Sequence, residues 1–496
     1  MTRTILISRL LMGTCLLAAI VLPKPVAADV TATVGGTTYV NKGLVGIGRI
    51  PANQRDKFGE TFGSGSGMAI DLKSWTKDGD SYKGSLWLLP DRGYNAVGTV
   101  DYVERVNTID VTLAPVGPAA TPPAGKEQST VEAKLADTVK LTDDKGADTT
   151  GLDPLDDGIR PASGAMPILP QAANGKLALD NEAIVRLADG SMLISDEYGP
   201  NIYHFGADGK LISATEPPAA LIPMRHGKPD FASDNPGPGA PHPSPKDPDT
   251  GRQNNQGFEG LSLTPDGKFL IAVLQSATRH DGGDSGKTRQ NTRALVYAAA
   301  DIDHLKLVHE FVVPLPVFDD AKGKRTIAAQ SEIVALSATR FLMLARDAGN
   351  GQGLKGDTSL YRKVEIVDVS TATDIAGSKF DGLTPVAPKG VLESAVKPAV
   401  LTDFIDLNDN AQLNRFGLHN GAPNDRNNLS EKWEAMSLAP ALDTTAPDDW
   451  FLFIANDNDF LTQDGFQVGQ AYKADDGADV DTMFQVYRVT LPGYGK

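Results

Sequence analysis

The sequence predicts an all-β fold built by radial repetition of four-stranded units, a β-propeller. Three observations carry this. A hairpin pattern with an acidic entrance recurs along the chain, and extended helical periodicity is nearly absent. Turn formers are abundant, with 50 Gly and 33 Pro in 496 residues. Hydrophobic residues at 41% and charged ones at 22% describe a globular chain. The formal charge of -16 disfavours nucleic acid and anionic membranes as partners, because both select Lys and Arg.

Residues 1–28 read as a secretory signal peptide: Arg3 and Arg9, an apolar Leu10 to Leu22, then Val26-Ala27-Ala28 before Asp29. The single cysteine, Cys15, lies in this segment, so the mature chain has no thiol, disulfide or cysteine-metal site. Losing Arg3, Arg9 and Lys24 takes the charge from -16 to -19. The expected protein is exported, of bacterial type, periplasmic or extracellular, and has no membrane partner after cleavage. Residues 29–496 are expected to form a single domain.

The repeats follow in order. A weaker copy comes first: Ser66 to Ile70, strand Leu86 to Leu89, then Asp91-Arg92-Gly93. The second runs Asn181-Glu182 to Leu187, turn Asp189-Gly190, strand Ser191 to Ile194, then Ser195-Asp196-Glu197-Tyr198-Gly199. The third is Phe258-Glu259 to Leu263, turn Pro265-Asp266-Gly267, strand Phe269 to Leu274, then Gln275-Ser276. The fourth is Ser331-Glu332 to Leu336, strand Phe341 to Ala345, then Arg346-Asp347. The last is Trp433-Glu434 to Leu438, strand Trp450 to Ala455, then Asn456 to Asp459. Each hairpin must stack on its neighbours to bury its apolar face, and a further strand pair after most of them completes a blade. Five units are visible. A sixth is assembled from the strands around Thr31 to Val40 and Val131 to Thr142. Long Pro-, Gly-, Asp- or Asn-rich connections at 112–180, 215–257 and 408–432 read as functional or surface loops.

In a radial fold, equivalent repeat positions converge. Aligning the repeats places Glu182, Glu259, Glu332 and Glu434 at one position, the entrance of an inner strand. Asp91, Asp196, Asp347 and Asp457 fall near the end of the next strand, with Glu197 beside Asp196 and with Gln275 and Asn456 as neutral oxygen donors. A confined carboxylate ring either raises some pKa values or binds a cation, and oxygen-only ligands suit Ca²⁺. Local capping of backbone N–H groups is the bland alternative for each residue. Gly282 to Thr288 is one residue short of a P-loop and continues into strand, so it reads as a loop. Arg225-His226-Gly227 echoes a histidine-phosphatase signature but sits in a Pro-rich loop. The seven His residues show no zinc spacing.

These residues resemble the phytase-like family described as having "esterase-like activity of phytase". The resemblance spans roughly Gly59 to Val489. It is carried by Glu182 with Asp196-Glu197-Tyr198-Gly199, by Asn255-Gln256-Gly257-Phe258-Glu259-Gly260 with Leu274-Gln275-Ser276, and by Ser331-Glu332-Ile333 with Arg346-Asp347. Asp368-Val369 to Thr373-Asp374 and Glu434 with Asn456 to Phe460 complete it. It implies an exported propeller acting on phosphate esters. Ala183 and Ala435 depart from the family's Gly after Glu, and a Cβ there is expected to narrow the site.

The leading expectation is a Ca²⁺-dependent phosphoester hydrolase with a small-molecule substrate and no organic cofactor. One of Glu182, Glu259, Glu332 or Glu434 would act as base. Arg92, Arg279, Arg293 or Arg346 would orient phosphate oxygens. Asp91, Asp196, Glu197, Gln275, Asp347, Asn456 and Asp457 are the expected metal ligands. The alternatives are a calcium lactonase or esterase, and a non-enzymatic binding propeller with a structural metal.

Overall fold

The computed structural model describes residues 29–496 apart from 165, 350, 354, 355, 476 and 496. The signal-peptide reading therefore lies outside the described residues. The fold is all-β, with one short α-helix, Asn410–Leu413, among the described residues.

Five four-stranded antiparallel units recur. The first is Gly67–Ile70, Ser81–Leu89, Arg105–Leu113 and Val131–Lys140. The second is Asn181–Arg186, Met192–Asp196, Ile202–Phe205 and Leu211–Thr215. Phe258–Leu263, Phe269–Leu274, Asn291–Ala298 and Lys306–Pro314 form the third. The fourth is Ala329–Ser337, Arg340–Arg346, Arg362–Asp368 and Val400–Asp406. The fifth takes Trp433–Pro440, Asp449–Asn456 and Thr482–Thr490 from the end of the chain, and Thr37–Ile50 from its beginning. A single parallel pairing of Gly48 with Val131 links the fifth unit to the first in one open ten-stranded sheet.

The strands 31–40 and 131–142 therefore do not make the expected sixth unit. Thr37–Ile50 pairs with Thr482–Thr490 and Val131–Lys140 with Arg105–Leu113, each as the fourth strand of a unit already counted, and Val30–Val34 only extends Thr37–Ile50.

The first strands of the five units neighbour one another in a cycle: Gly67–Ile70, Asn181–Arg186, Phe258–Leu263, Ala329–Ser337, Trp433–Pro440 and back to the first. Five apolar cores follow the same order, one between each pair of adjacent units. This explains the continuous apolar runs of the inner strands, since a sheet covered on both faces needs apolar residues at both parities. Leu342 and Leu344 pack towards the fifth unit, whereas Phe341, Met343 and Ala345 pack towards the third. Likewise Leu452 and Ile454 face the fourth unit, and Phe451, Phe453 and Ala455 face the first.

Side-chain bonds reinforce the inner ring. Ser262 Oγ accepts from Ala335 N at 2.9 Å, and Ser437 Oγ accepts from Ile70 N at 3.1 Å, each across a unit boundary.

Candidate active site

The strand registers define which residues are equivalent. In units two to five a register shift marks a bulge close to the entrance of the first strand, and in the first unit Gly65 N and Ser66 N share Leu89 O. Phe258 opposes Leu274 and Gly260 opposes Val273, which leaves Glu259 extra. Trp433 opposes Asn456 and Ala435 opposes Ala455, which leaves Glu434 extra. The second unit shifts register between Asn181 and Ile184, around Glu182. In the first unit Gly67 opposes Leu89, and Ser66 N also bonds Leu89 O at 3.1 Å. A bulge re-aims its extra residue, and the bulged Glu182, Glu259 and Glu434 all line one pocket.

The fourth unit departs by one residue. Gln330 opposes Ala345 and Glu332 opposes Leu344, so Ser331 is the bulged residue. Glu332 is equivalent to Gly260 and Ala435, not to the glutamates. The bulge ring is thus Ser66, Glu182, Glu259, Ser331 and Glu434. The second strands supply another ring. In units two to five the residue before the bulge opposes Asp196, Leu274, Ala345 or Asn456, and the next residue on that strand is Glu197, Gln275, Arg346 or Asp457; Asp91, two residues past Leu89, is the counterpart in the first unit.

Three residues of the first ring (Glu182, Glu259 and Glu434) and four of the second (Asp91, Glu197, Gln275 and Arg346) line a pocket of about 210 Å³. Asp91, Glu182, Glu197, Glu259, Gln275, Arg92, Arg346 and Glu434, all expected from sequence, line it. Asp457 lies at its edge, in a carboxylate group with Asp91 and Asp459. Five further lining residues were not anticipated: Asn95, Asp180, Asn255, Lys432 and Asp459. Asp180 and Lys432 each lie two residues before a bulge glutamate, so extending the repeat register by two positions finds them.

Six expected residues are not brought to this pocket. Glu332 is buried among the inner strands, where Oε1 accepts from Leu261 N at 3.3 Å and from Ile333 N at 2.7 Å. Asp196 ties a loop, accepting from Asp180 N at 2.6 Å and Gly199 N at 2.9 Å. Asp347 does the same through Leu360 N at 2.6 Å and Ser359 Oγ at 2.8 Å. Asn456 Oδ1 accepts from Met483 N at 2.6 Å within the fifth unit. Arg279 reaches outer-loop atoms, donating to Pro248 O at 3.1 Å. Arg293 is fully buried between Asp281 and Glu310, each at 2.8 Å. In each case local backbone or ion-pair geometry consumes the polar group.

Ala183 and Ala435 do not narrow the pocket. Their methyl groups belong to the cores between units two and three and between units one and five. The Asn255-Gln256-Gly257 stretch is shaped by contact: a Cβ on Gly257 would lie 2.5 Å from Glu197 Cα, and Gly257 N donates to Glu197 Oε1 at 3.2 Å.

Seven carboxyl groups and three cationic side chains line the pocket. The cations are unevenly shared. Arg92 pairs with Asp180 at 2.6 Å and also donates to Asn255 Oδ1. Arg346 pairs with Glu434, and its Nε donates to Ser331 Oγ at 3.2 Å. Lys432 lies 2.8 Å from Asp457 and 2.9 Å from Asp459. Asp180, Glu182 and Glu197 form a second compact group whose carboxylate oxygens lie within 4.8 Å of one another. Among the described residues no hydrogen-bond donor reaches the Glu182 carboxylate, and Asp180 Oδ1 and Glu259 Oε2 are buried without partners. Gln275 Nε2 donates to the other Glu259 oxygen.

Burial pushes the Glu182 carboxyl well above its usual range, and the Glu259 and Glu197 charges add to this. Glu259 moves the same way, by burial and then by Glu197 and Glu434. Glu197 is pushed up to about 8, by burial first and by Asp180 next. These oxygens meet the requirement for a hard divalent cation: several clustered carboxylates, unpaired acceptors and an uncompensated negative charge.

Fold and site together define an all-β repeat protein whose inner strands converge on a buried, acid-rich pocket. The chain belongs to the phytase-like family described as esterase-like activity of phytase, which it matches over residues 62–460. It is 39% identical over 462 residues to a protein of Arthroderma benhamiae described as an uncharacterized secreted protein, covering 87% of this chain and 89% of the relative. Among solved structures, a catalytically inactive virginiamycin B lyase from Staphylococcus aureus with quinupristin aligns over 90% of this chain and 99% of its own. Identity is 9% and the TM-score 0.26, too low to carry an argument. No helix among the described residues is long and apolar enough to cross a membrane.

Proposed function

We propose that this protein is an exported, divalent-cation-dependent hydrolase of phosphate esters, built as a five-bladed β-propeller with its active site at one mouth of the channel. The propeller reading rests on the cyclic order of the inner strands and of the five intervening cores. Export rests on the signal-like segment 1–28 and on the relative described as secreted.

One observation carries the catalytic reading: the Asp180, Glu182 and Glu197 oxygens cluster without a cationic partner sufficient for all three. These residues would hold Ca²⁺, whose charge would offset that of a phosphoryl group. Glu259 is the proposed general base. Its Oε2 has no protein partner, and burial makes its ionised form a stronger base towards an attacking water. Arg92 and Arg346 border the same space and are the proposed donors to phosphate oxygens.

The test is hydrolysis of a panel of phosphomonoesters and phosphodiesters with Ca²⁺ present and after chelation. Turnover is expected to need the cation. Glu259→Gln should lower kcat by roughly 10²–10⁴-fold, the usual range for a general base. Glu332→Gln should stay within about threefold of the parent. Equal losses in both variants, or no cation dependence, would overturn the assignment. Turnover of lactones without phosphoester hydrolysis would move the same site to a different substrate class.

A further inference from the structure

We infer that the pocket contains a second divalent-cation site and that the Lys432 ammonium group fills it as a tethered counter-ion. The inference concerns the pocket described above but rests on its charge arrangement and not on turnover. Ion counting therefore succeeds or fails independently of the hydrolase reading.

Lys432 Nζ lies 2.8 Å from Asp457 Oδ2 and 2.9 Å from Asp459 Oδ1. Asp91 Oδ2 at 3.5 Å and Glu434 Oε2 at 3.6 Å complete the surround. Four carboxylates, contributed by the first and fifth units, thus converge on one nitrogen. Arg346 also pairs with Glu434, so two positive charges face four carboxylates, and the three N–H donors of the ammonium group cannot reach all four. The shortfall is visible: Glu434 Oε2, on a side chain 2% exposed, is buried without a hydrogen bond and aims at this centre.

A hard divalent cation meets that demand better. It takes six to eight oxygens without directional donors and supplies about twice the charge. Oxygen donors from Asp91, Asp457, Asp459 and Glu434 are the set such an ion selects. The group across the pocket, Asp180, Glu182 and Glu197, has the opposite arrangement: compact carboxylates with no ammonium inserted. The pocket therefore has two acid nests, one open to an exchangeable ion and one closed by a covalently attached charge. Tethering gives a cation that chelators cannot remove. The nest's frame does not depend on the lysine side chain, because Asp457 N donates to Lys432 O at 2.7 Å through the backbone.

The experiment compares the full chain with Lys432→Met, which keeps the stem length and removes the charge. Bound Ca²⁺ per chain is counted by elemental analysis after equilibrium dialysis, with Mn²⁺ as a spectroscopic check. Lys432→Met is expected to bind one more ion per chain than the parent, and adding Asp457→Asn should abolish that gain. The rise in Tm on adding Ca²⁺ should be larger in Lys432→Met than in the parent. Should the variant fold only when Ca²⁺ is supplied, the inference stands, since the ion then replaces the lost charge. A folded Lys432→Met that binds no more ions than the parent would overturn it. So would a variant that stays unfolded with and without Ca²⁺.

Discussion

At the scale of single residues, the site is decided by one-residue offsets. Glu332 has the chemistry of the ring glutamates and the sequence context of a repeat, yet it sits one position past the bulge and faces backbone N–H groups. Bulges have no residue signature at this position, so the offset was not legible in sequence. Glu182, Glu259 and Glu434 were legible because the extra residue is the acid itself. Glu197 supplies a pH test. Burial and the Asp180 charge push its carboxyl from an ordinary 4.5 up to about 8, against the pull of Arg92, Arg252 and Lys432. The protonated form is thus favoured in the folded state. Its stabilising contribution is complete below about pH 4.5 and is lost as pH rises through about 8. A bound cation selects the ionised form, so Ca²⁺ affinity should rise between about pH 6 and 9 with proton release. Calorimetry in buffers of different ionisation enthalpy measures this; affinity independent of pH would remove Glu197 from the ligand set.

At the scale of strands and sheets, the inner hairpins and most of the strands that follow them were readable, whereas the placement of Thr37–Ile50 and Val131–Lys140 was not. An inner strand such as Phe341 to Ala345 is apolar at both parities because two neighbouring units cover it. Outer strands alternate less regularly, as in Val131–Lys140, whose exposed and buried positions follow no strict period. Long-range pairing also hides the partner of Thr37–Ile50, which lies more than 400 residues away in Thr482–Thr490. The seam between the first and fifth units can be tested at Gly48. A Cβ there would lie 2.3 Å from Val131 O, so Gly48→Val must push the two strands apart. The expected cost is at least about 1–3 kcal/mol, the range for overpacking a close contact. Denaturant unfolding should show a lower midpoint, and an unchanged midpoint would mean that the parallel junction bears no packing.

At the scale of the whole molecule, composition and repetition together gave the all-β class and five of its units. The long connections hid how the pocket is finished. Asn255 and Asn95 come from loops whose sequences carry no repeat register, although their neighbours Glu259 and Arg92 do. The overall charge of -16 adds an effect beyond the site. A negative field repels anionic substrates, and salt screens it with a Debye length of about 10 Å at 0.1 M. For a phosphate ester, kcat/KM should therefore rise severalfold between low and moderate ionic strength at fixed Ca²⁺, while a neutral ester should show little change. Equal salt responses would mean that the pocket's local cations, and not the global charge, govern encounter.

The fifth unit needs strands from both ends of the chain. Its consequence is temporal. A chain delivered from its N-terminus presents Thr37–Ile50 early, where Val30–Val34 can pair with it, but its long antiparallel partner is available only when residues 482–490 arrive. The first four units take all their strands from residues up to Asp406, whereas the fifth is complete only with Thr482–Thr490. The nest around Lys432 draws Asp457 and Asp459 from this last unit and Asp91 from the first, so it is completed at the same moment. A chain that stops before residues 482–490 lacks the strand that joins Thr37–Ile50 to Asp449–Asn456, so the unit that presents Asp457 and Asp459 is left incomplete.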